Sequence, residues 1–488
     1  MKLTTGHGRA CCPLLFVLLL SAAWHRTSAG STPSRLSQQS GGVQIDSAVL
    51  TRLVDSAMAE GMVRESIPGA AFLLVQGGRV ILAKGYGTAD LASGRPWEPD
   101  STIFPIASIT KVFTATAVMQ LADRGRIDLN ADVNSYLTWV RVPQTYRQPI
   151  TAAHLLSHTA GLDEIPGRQV RSTKDLVPMN RFLATRLVRV HPPGLMTSYS
   201  TYGMALAGLV VEDVSGMSYE AYLRQNIWQP LAMTRTSLTP PSRGGGRATA
   251  YELDGGKLLP VPYEIYQTPP ASSILSTAED MEHFLIAHLQ NGRYRRVRIL
   301  SDSAAVRMHR QYVTMHPKIP GWALGFQVND LNGRYLIEHG GDIGGFSSLL
   351  TLLPEEGVGF FVVHHLEGRN LRFDIRRLIL DTYFPASPPP KPPKPEPSAA
   401  SRLHRFAGTY RASIYCHSCG GGGPGVQDFK VTGNQDGTIT VWDDRWIETS
   451  PLYFVSSDGQ KHLGFAQDQT GRILGLTAGS WRVLERID

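Results

Sequence analysis

Ser108-Ile109-Thr110-Lys111 opens the run SITKVFTATAVMQLADRG, residues 108–125, and the reading of this stretch decides that of the chain around it. Its apolar residues keep helical spacing to about Arg124, and Gly125 is the residue type with which helices commonly close. Serine and lysine three residues apart share one helix face, so the Lys111 ammonium reaches the Ser108 hydroxyl. A serine hydroxyl is a weak nucleophile at neutral pH and needs an adjacent base or a positive field. Burial depresses a lysine's pKa, which suits Lys111 to either role. The helix start adds free N–H groups and a positive dipole end. A plain helix N-cap and a chance S-x-x-K account for the same four residues.

Two other stretches carry chemistry. Pro192-Pro193-Gly194 leads to Tyr199-Ser200-Thr201 and an apolar helix from Tyr202 to Val214. A tyrosine in a tight turn before such a helix points its phenol into a cleft. Beside a lysine ammonium its pKa is expected to fall, letting it exchange protons with Ser108; a half-buried aromatic with a satisfied hydroxyl is the alternative. His339-Gly340-Gly341-Asp342 follows a strand near Tyr335 to Glu338. Glycines let backbone approach a substrate and an N–H hold an oxyanion, although a glycine-rich turn reads the same way.

Outward from these motifs, Ile45 to about Met62 has helical periodicity. Ala70–Gln76 and Val80–Lys84 read as a hairpin turning at Gly77-Gly78. Strands return at Phe346–Leu353 and Gly359–Val363, followed by an amphipathic helix from about Leu371 to Phe384. The intervening segments are mostly helical. The expected class is α+β: an antiparallel sheet built from both ends of the domain, flanked by helices and carrying an inserted helical region.

The prolines of Pro385–Pro397 predict an extended spacer. The expected organisation is a signal peptide over 1–29, a catalytic domain over 30–384, a linker over 385–401 and a small all-β barrel or sandwich over 402–488. No catalytic constellation stands out in that last part.

Lys2 and Arg9 precede an apolar run from Cys11 to about Trp24, with small residues at Thr27-Ser28-Ala29, the pattern of a secretion signal. Its removal lowers the formal charge of +7 by three and leaves only Cys416 and Cys419. In an oxidising compartment that spacing suggests a local disulfide; a zinc site would need two ligands besides His417. The expected location is secreted or periplasmic, with no membrane span after signal removal, no nucleic-acid partner and no cofactor or metal.

The three motifs together, with HLLSHTAGL (154–162), the stretch from Pro192 to Tyr222, IWQPLAMTRT (227–236), ILSTAEDMEHFL (274–285) and HGGDIGGFSS (339–348), resemble the serine β-lactamase and penicillin-binding-protein superfamily. The likeness is to its class C branch of related esterases and D-amino-acid peptidases, over roughly Ile45 to Phe384. It implies Ser108 as acyl-accepting nucleophile and Lys111 and Tyr199 as proton shuttles. The N–H groups of Ser108 and Asp342 would form an oxyanion hole, with His339, Gly340, Gly341 and Thr201 bordering the substrate. Thr201 stands where the family usually has Asn, and His339 where β-lactamases have Lys. The expectation is a serine hydrolase acting on a small ester or a peptide, with slow turnover of β-lactams at most. A penicilloyl-binding sensor or an inactive binding protein is the alternative. His154 and His158 lack the glutamate of a zinc-protease motif and read as structural.

Overall fold

The computed structural model describes residues 43–239, 246–388, 393–395, 397–420 and 426–488. The expected signal and much of the proline-rich stretch lie outside them. Among the described residues no helix is long and apolar enough to cross a membrane.

The first helix, α1 (Ser47–Glu65), is capped by the Asp46 side chain and closed by Ser66 in the left-handed region. β1 (Gly69–Gln76) and β2 (Arg79–Asp90) form the expected hairpin, with Gly77 and Gly78 both at positive φ, as a tight hairpin turn requires. β3 is the two-residue strand Arg95–Pro96. Late in the chain come β4 (Gln327–Leu331), β5 (Arg334–Ile343), β6 (Phe346–Leu353) and β7 (Val358–His365). The order β4-β5-β6-β7-β1-β2-β3 is antiparallel throughout, so both ends of the domain build one seven-stranded sheet.

β1 is apolar along almost its whole length because both its faces are covered. Leu73 and Val75 point into the core shared with the helical region, and Phe72 and Leu74 into a second core. That second core is closed by α1 and the C-terminal helix Leu371–Tyr383. Each large apolar side chain so buried contributes about 1.5–3 kcal/mol, which makes this alternation the main determinant of register.

In the helical region, α2 (Thr110–Asp123) is buried from Thr110 through Leu121, as a helix in the middle of a core must be. Phe113 stacks on Phe284 of the helix Ala278–Leu289, with ring centroids 3.8 Å apart. The helix Thr201–Ser215 is capped by Ser200 and closed by Gly216 in the left-handed region.

The C-terminal part is a closed antiparallel barrel of eight strands running from Gly408–Ala412 to Val483–Arg486. Tyr410, Trp446, Phe454 and Phe465 fill its interior. Cys416 and Cys419 are joined by a disulfide in the loop after its first strand. Residues 43–488 form one compact unit.

Candidate active site

Ser108 does not begin the long helix. It sits in a 3₁₀ turn, Ala107–Ile109, immediately before α2, and Ala107 holds φ at +49°. A left-handed alanine is a strained conformation that the surrounding packing must impose. The hydroxyl caps nothing and is partly exposed. Instead Lys111 Nζ donates to Ser108 Oγ at 3.1 Å and to the carbonyl of Ala271 at 2.8 Å.

Lys111 is 1% exposed, and burial pushes its pKa down to about 7; nearby Glu164 opposes the shift and Arg168 adds to it. Its nitrogen lies 4.7 Å from the centre of the Tyr199 ring. The Tyr199 phenol departs from its sequence expectation: burial raises its pKa, and the hydrogen bond with Ser108 opposes this only in part. Desolvation of a phenolate dominates here, so Tyr199 is a neutral phenol at physiological pH.

β5 runs unbroken through His339-Gly340-Gly341-Asp342 because each residue pairs with β6, Gly341 opposite Ser348 and Asp342 opposite Ser347. The glycines are therefore strand residues, not a turn. A Cβ on Gly341 would meet the Ile106 carbonyl at 2.4 Å and Ser348 Oγ at 2.6 Å, so the strand lies directly against the turn that carries Ser108. Alternation sends Glu338, Gly340 and Asp342 to one side and His339 and Gly341 to the other. The first side, with Ser108 and Tyr199, lines a cleft of about 610 Å³.

Asp342 pairs with Arg372 at 2.7 Å and accepts from Ser347 Oγ at 2.6 Å, contacts that fix this end of the strand. Arg376 in the same cleft is bound to Glu338. Among the residues expected to border a substrate, Gly340 lines the cleft, while His339, Gly341 and Thr201 are absent from its wall. His339 is 1% exposed against Tyr199 and Trp322, and burial followed by the Lys111 charge holds it down to about 3, a neutral ring. Thr201 faces inward at the first turn of its helix, its N–H bonded to Glu164 at 2.9 Å. His158 Nδ1 accepts the Ser200 N–H at 3.1 Å, a structural contact that fixes the residue beside Tyr199.

The barrel supplies the cleft residues that the sequence did not disclose. Ala478 to Arg482, the loop before the last strand, form one wall. Trp481 lies edge to face on Tyr199 with ring centroids 4.7 Å apart, and remains 51% exposed. Trp322 Nε1 anchors the loop by donating to the Ser480 carbonyl at 2.8 Å. Nothing in a strand pattern tells where this loop docks. A separate group of possible metal ligands, His191, His417 and Glu485, brings the barrel's first loop and last strand together with the segment before Tyr199.

The Beta-lactamase family model matches residues 53–384, and the chain belongs to that family. Protein flp of Staphylococcus aureus (strain MRSA252) is 30% identical over 328 residues, covering 64% of this chain and 63% of that protein. The chain thus matches less than two thirds of the staphylococcal relative's length. Penicillin-binding protein 4 of Amycolatopsis lactamdurans is 29% identical over 304 residues, 60% of this chain and 79% of that protein. Among solved structures, the octameric penicillin-binding protein homologue of Pyrococcus abyssi superposes with a TM-score of 0.60 at 22% identity, covering 90% of this chain and all of that one. SurE gives 0.64 at 21% identity, covering 90% and 99%. Coverage of 90% takes in the barrel as well as the family's region, so the likeness is one of fold across both parts.

Proposed function

We propose that this protein is an exported serine hydrolase that works through an acyl-enzyme on Ser108. The observation that carries this reading is the 3.1 Å contact between Ser108 Oγ and a buried Lys111 whose pKa lies near 7, at the end of an open cleft. A lysine so poised is neutral in a large fraction of molecules at neutral pH, which is what a general base requires.

In this account Ser108 Oγ attacks a carbonyl carbon while its proton passes to Lys111. The carbonyl oxygen becomes an oxyanion held by the N–H groups of Ser108 and Asp342, each worth about 3 kcal/mol in the transition state. Lys111 returns the proton through the Tyr199 phenol to the leaving oxygen or nitrogen, and the carbonyl carbon stays on Ser108. Water then attacks the ester, its proton following the same route to Ser108 Oγ as the acid departs.

The substrate class is an ester or a peptide, D-amino-acid-containing peptides included. Three observations support it. His339 is neutral where a β-lactamase would carry a lysine. Trp481 and Ser480 line the cleft beside Ser108 and Tyr199, an aromatic wall for a substrate's acyl part. The structural neighbour SurE has also been solved with D-Leu. Steady-state assays of the mature protein on a p-nitrophenyl ester, a peptide ending in a D-amino acid and a chromogenic cephalosporin test the reading. Turnover of the ester or peptide with slow cephalosporin cleavage is expected. A cephalosporin adduct that never turns over, with no activity on the other two, would establish the sensor instead.

A further inference from the structure

His417 is the one candidate metal ligand that the Cys416–Cys419 loop displays in sequence. Folding brings it two companions from distant parts of the chain: His191, seven residues before Ser198 and its neighbour Tyr199, and Glu485 on the last barrel strand. One ligand atom from each lies within 4.8 Å of the others. We propose that His191, His417 and Glu485 form a binding site for a divalent transition-metal ion of the zinc type, which clamps the barrel to the catalytic part.

Three observations carry the proposal. First, the spacing fits. His191 Nε2 is 2.9 Å from Glu485 Oε2, and His417 Nε2 is 3.1 Å from Glu485 Oε1. Ligands about 2.0–2.1 Å from a tetrahedral ion stand about 3.3 Å apart, so small side-chain movements would admit one. Second, His191 Nε2 is buried against the Glu485 carboxylate, so the nitrogen is already turned into the cluster. The proton shared across that contact is what a cation would displace, leaving the ring nitrogen as its ligand. Third, the outer contacts are those of a metal site. His417 Nδ1 lies 3.4 Å from Asp163, whose side chain is fully buried, and the Tyr415 hydroxyl holds Glu485 Oε1 at 2.5 Å. Carboxylates behind ligating histidines orient the ring in this way.

Two imidazoles and one carboxylate favour zinc over calcium or magnesium, which prefer oxygen ligands, and leave a fourth position for water. Asp163 also accepts the N–H groups of His417 and Ser418 at 2.8 and 3.0 Å, so the loop is held in place before an ion arrives. A proton on His417 bridging Asp163 and Glu485 is the competing occupant, and the ion must displace it.

The test is direct metal uptake by the full mature chain, made without a histidine tag and stripped with a chelator. Titration calorimetry with Zn²⁺ and elemental analysis after dialysis against micromolar Zn²⁺ are expected to give one ion per chain. Co²⁺ is expected to give the visible absorption of a tetrahedral site. His191→Gln, with its fold checked by circular dichroism, and Asp163→Asn should each weaken binding roughly 10- to 100-fold. Absence of stoichiometric uptake by the wild type would overturn the proposal, as would uptake undiminished in His191→Gln. Either result leaves the Ser108 chemistry untouched, because that is read by acylation and not by metal.

Discussion

Lys111 lies inside the protein with its nitrogen between the Ser108 hydroxyl and the Ala271 carbonyl, and burial lowers its pKa to about 7. The sign of the resulting pH dependence follows. Below about 7 the lysine is protonated and cannot accept the serine proton, so the rate of Ser108 acylation is expected to rise as pH increases through 7 and then level off. Labelling rates with a fluorophosphonate between pH 5 and 9 measure this, and Lys111→Arg, permanently charged, should lose the rise along with most of the rate. Tyr199→Phe removes the proton relay and should cost about 10²- to 10⁴-fold in turnover, with the fold intact. The Ser108 and Lys111 pairing was legible because i, i+3 spacing fixes geometry within one short segment. Their protonation states, and that of Tyr199, were not, because they depend on how completely distant residues such as Ala271 exclude water.

Within the sheet, β5 is pressed against the turn that carries Ser108, and Gln327 and Asn329 of β4 and Leu349 of β6 also line the cleft. Gly341→Ala would drive a methyl group into the Ile106 carbonyl, a clash typically costing about 1–3 kcal/mol and displacing the strand. Gly340 has nothing nearer than 3.9 Å, so Gly340→Ala only narrows the cleft. Calorimetric melting is expected to show a lowered midpoint for Gly341→Ala alone, while both variants slow substrate turnover. Most elements could be read from periodicity: the hairpin at Gly77-Gly78, the strands of β6 and β7, and the buried α2. His339–Asp342 left two readings open, because two glycines beside an aspartate carry turn chemistry. Only its residue-by-residue pairing with β6 makes it strand.

Across the whole molecule, the barrel closes one side of the site. Ser198 Oγ donates to the Ser413 carbonyl at 2.7 Å, and Ser413 Oγ to the Thr197 carbonyl at 3.0 Å. These bonds hold the barrel against the residues leading into Tyr199 and bring Trp481 over the phenol. An aromatic wall contributes about 0.5–1.5 kcal/mol through ring stacking. Trp481→Ala should therefore raise KM for substrates with bulky acyl groups by roughly two- to tenfold, leaving labelling by a small fluorophosphonate unchanged. The all-β character of the last part was readable from the sequence. Its part in the site was not, since that depends on docking between surfaces remote in sequence.

Whether Ser108 is the nucleophile is read by intact-mass analysis of the mature protein after fluorophosphonate treatment. One adduct per chain is expected, mapped to the Ser108 peptide and absent from Ser108→Ala. No adduct on the folded wild-type protein, or an adduct that persists in Ser108→Ala, would contradict it.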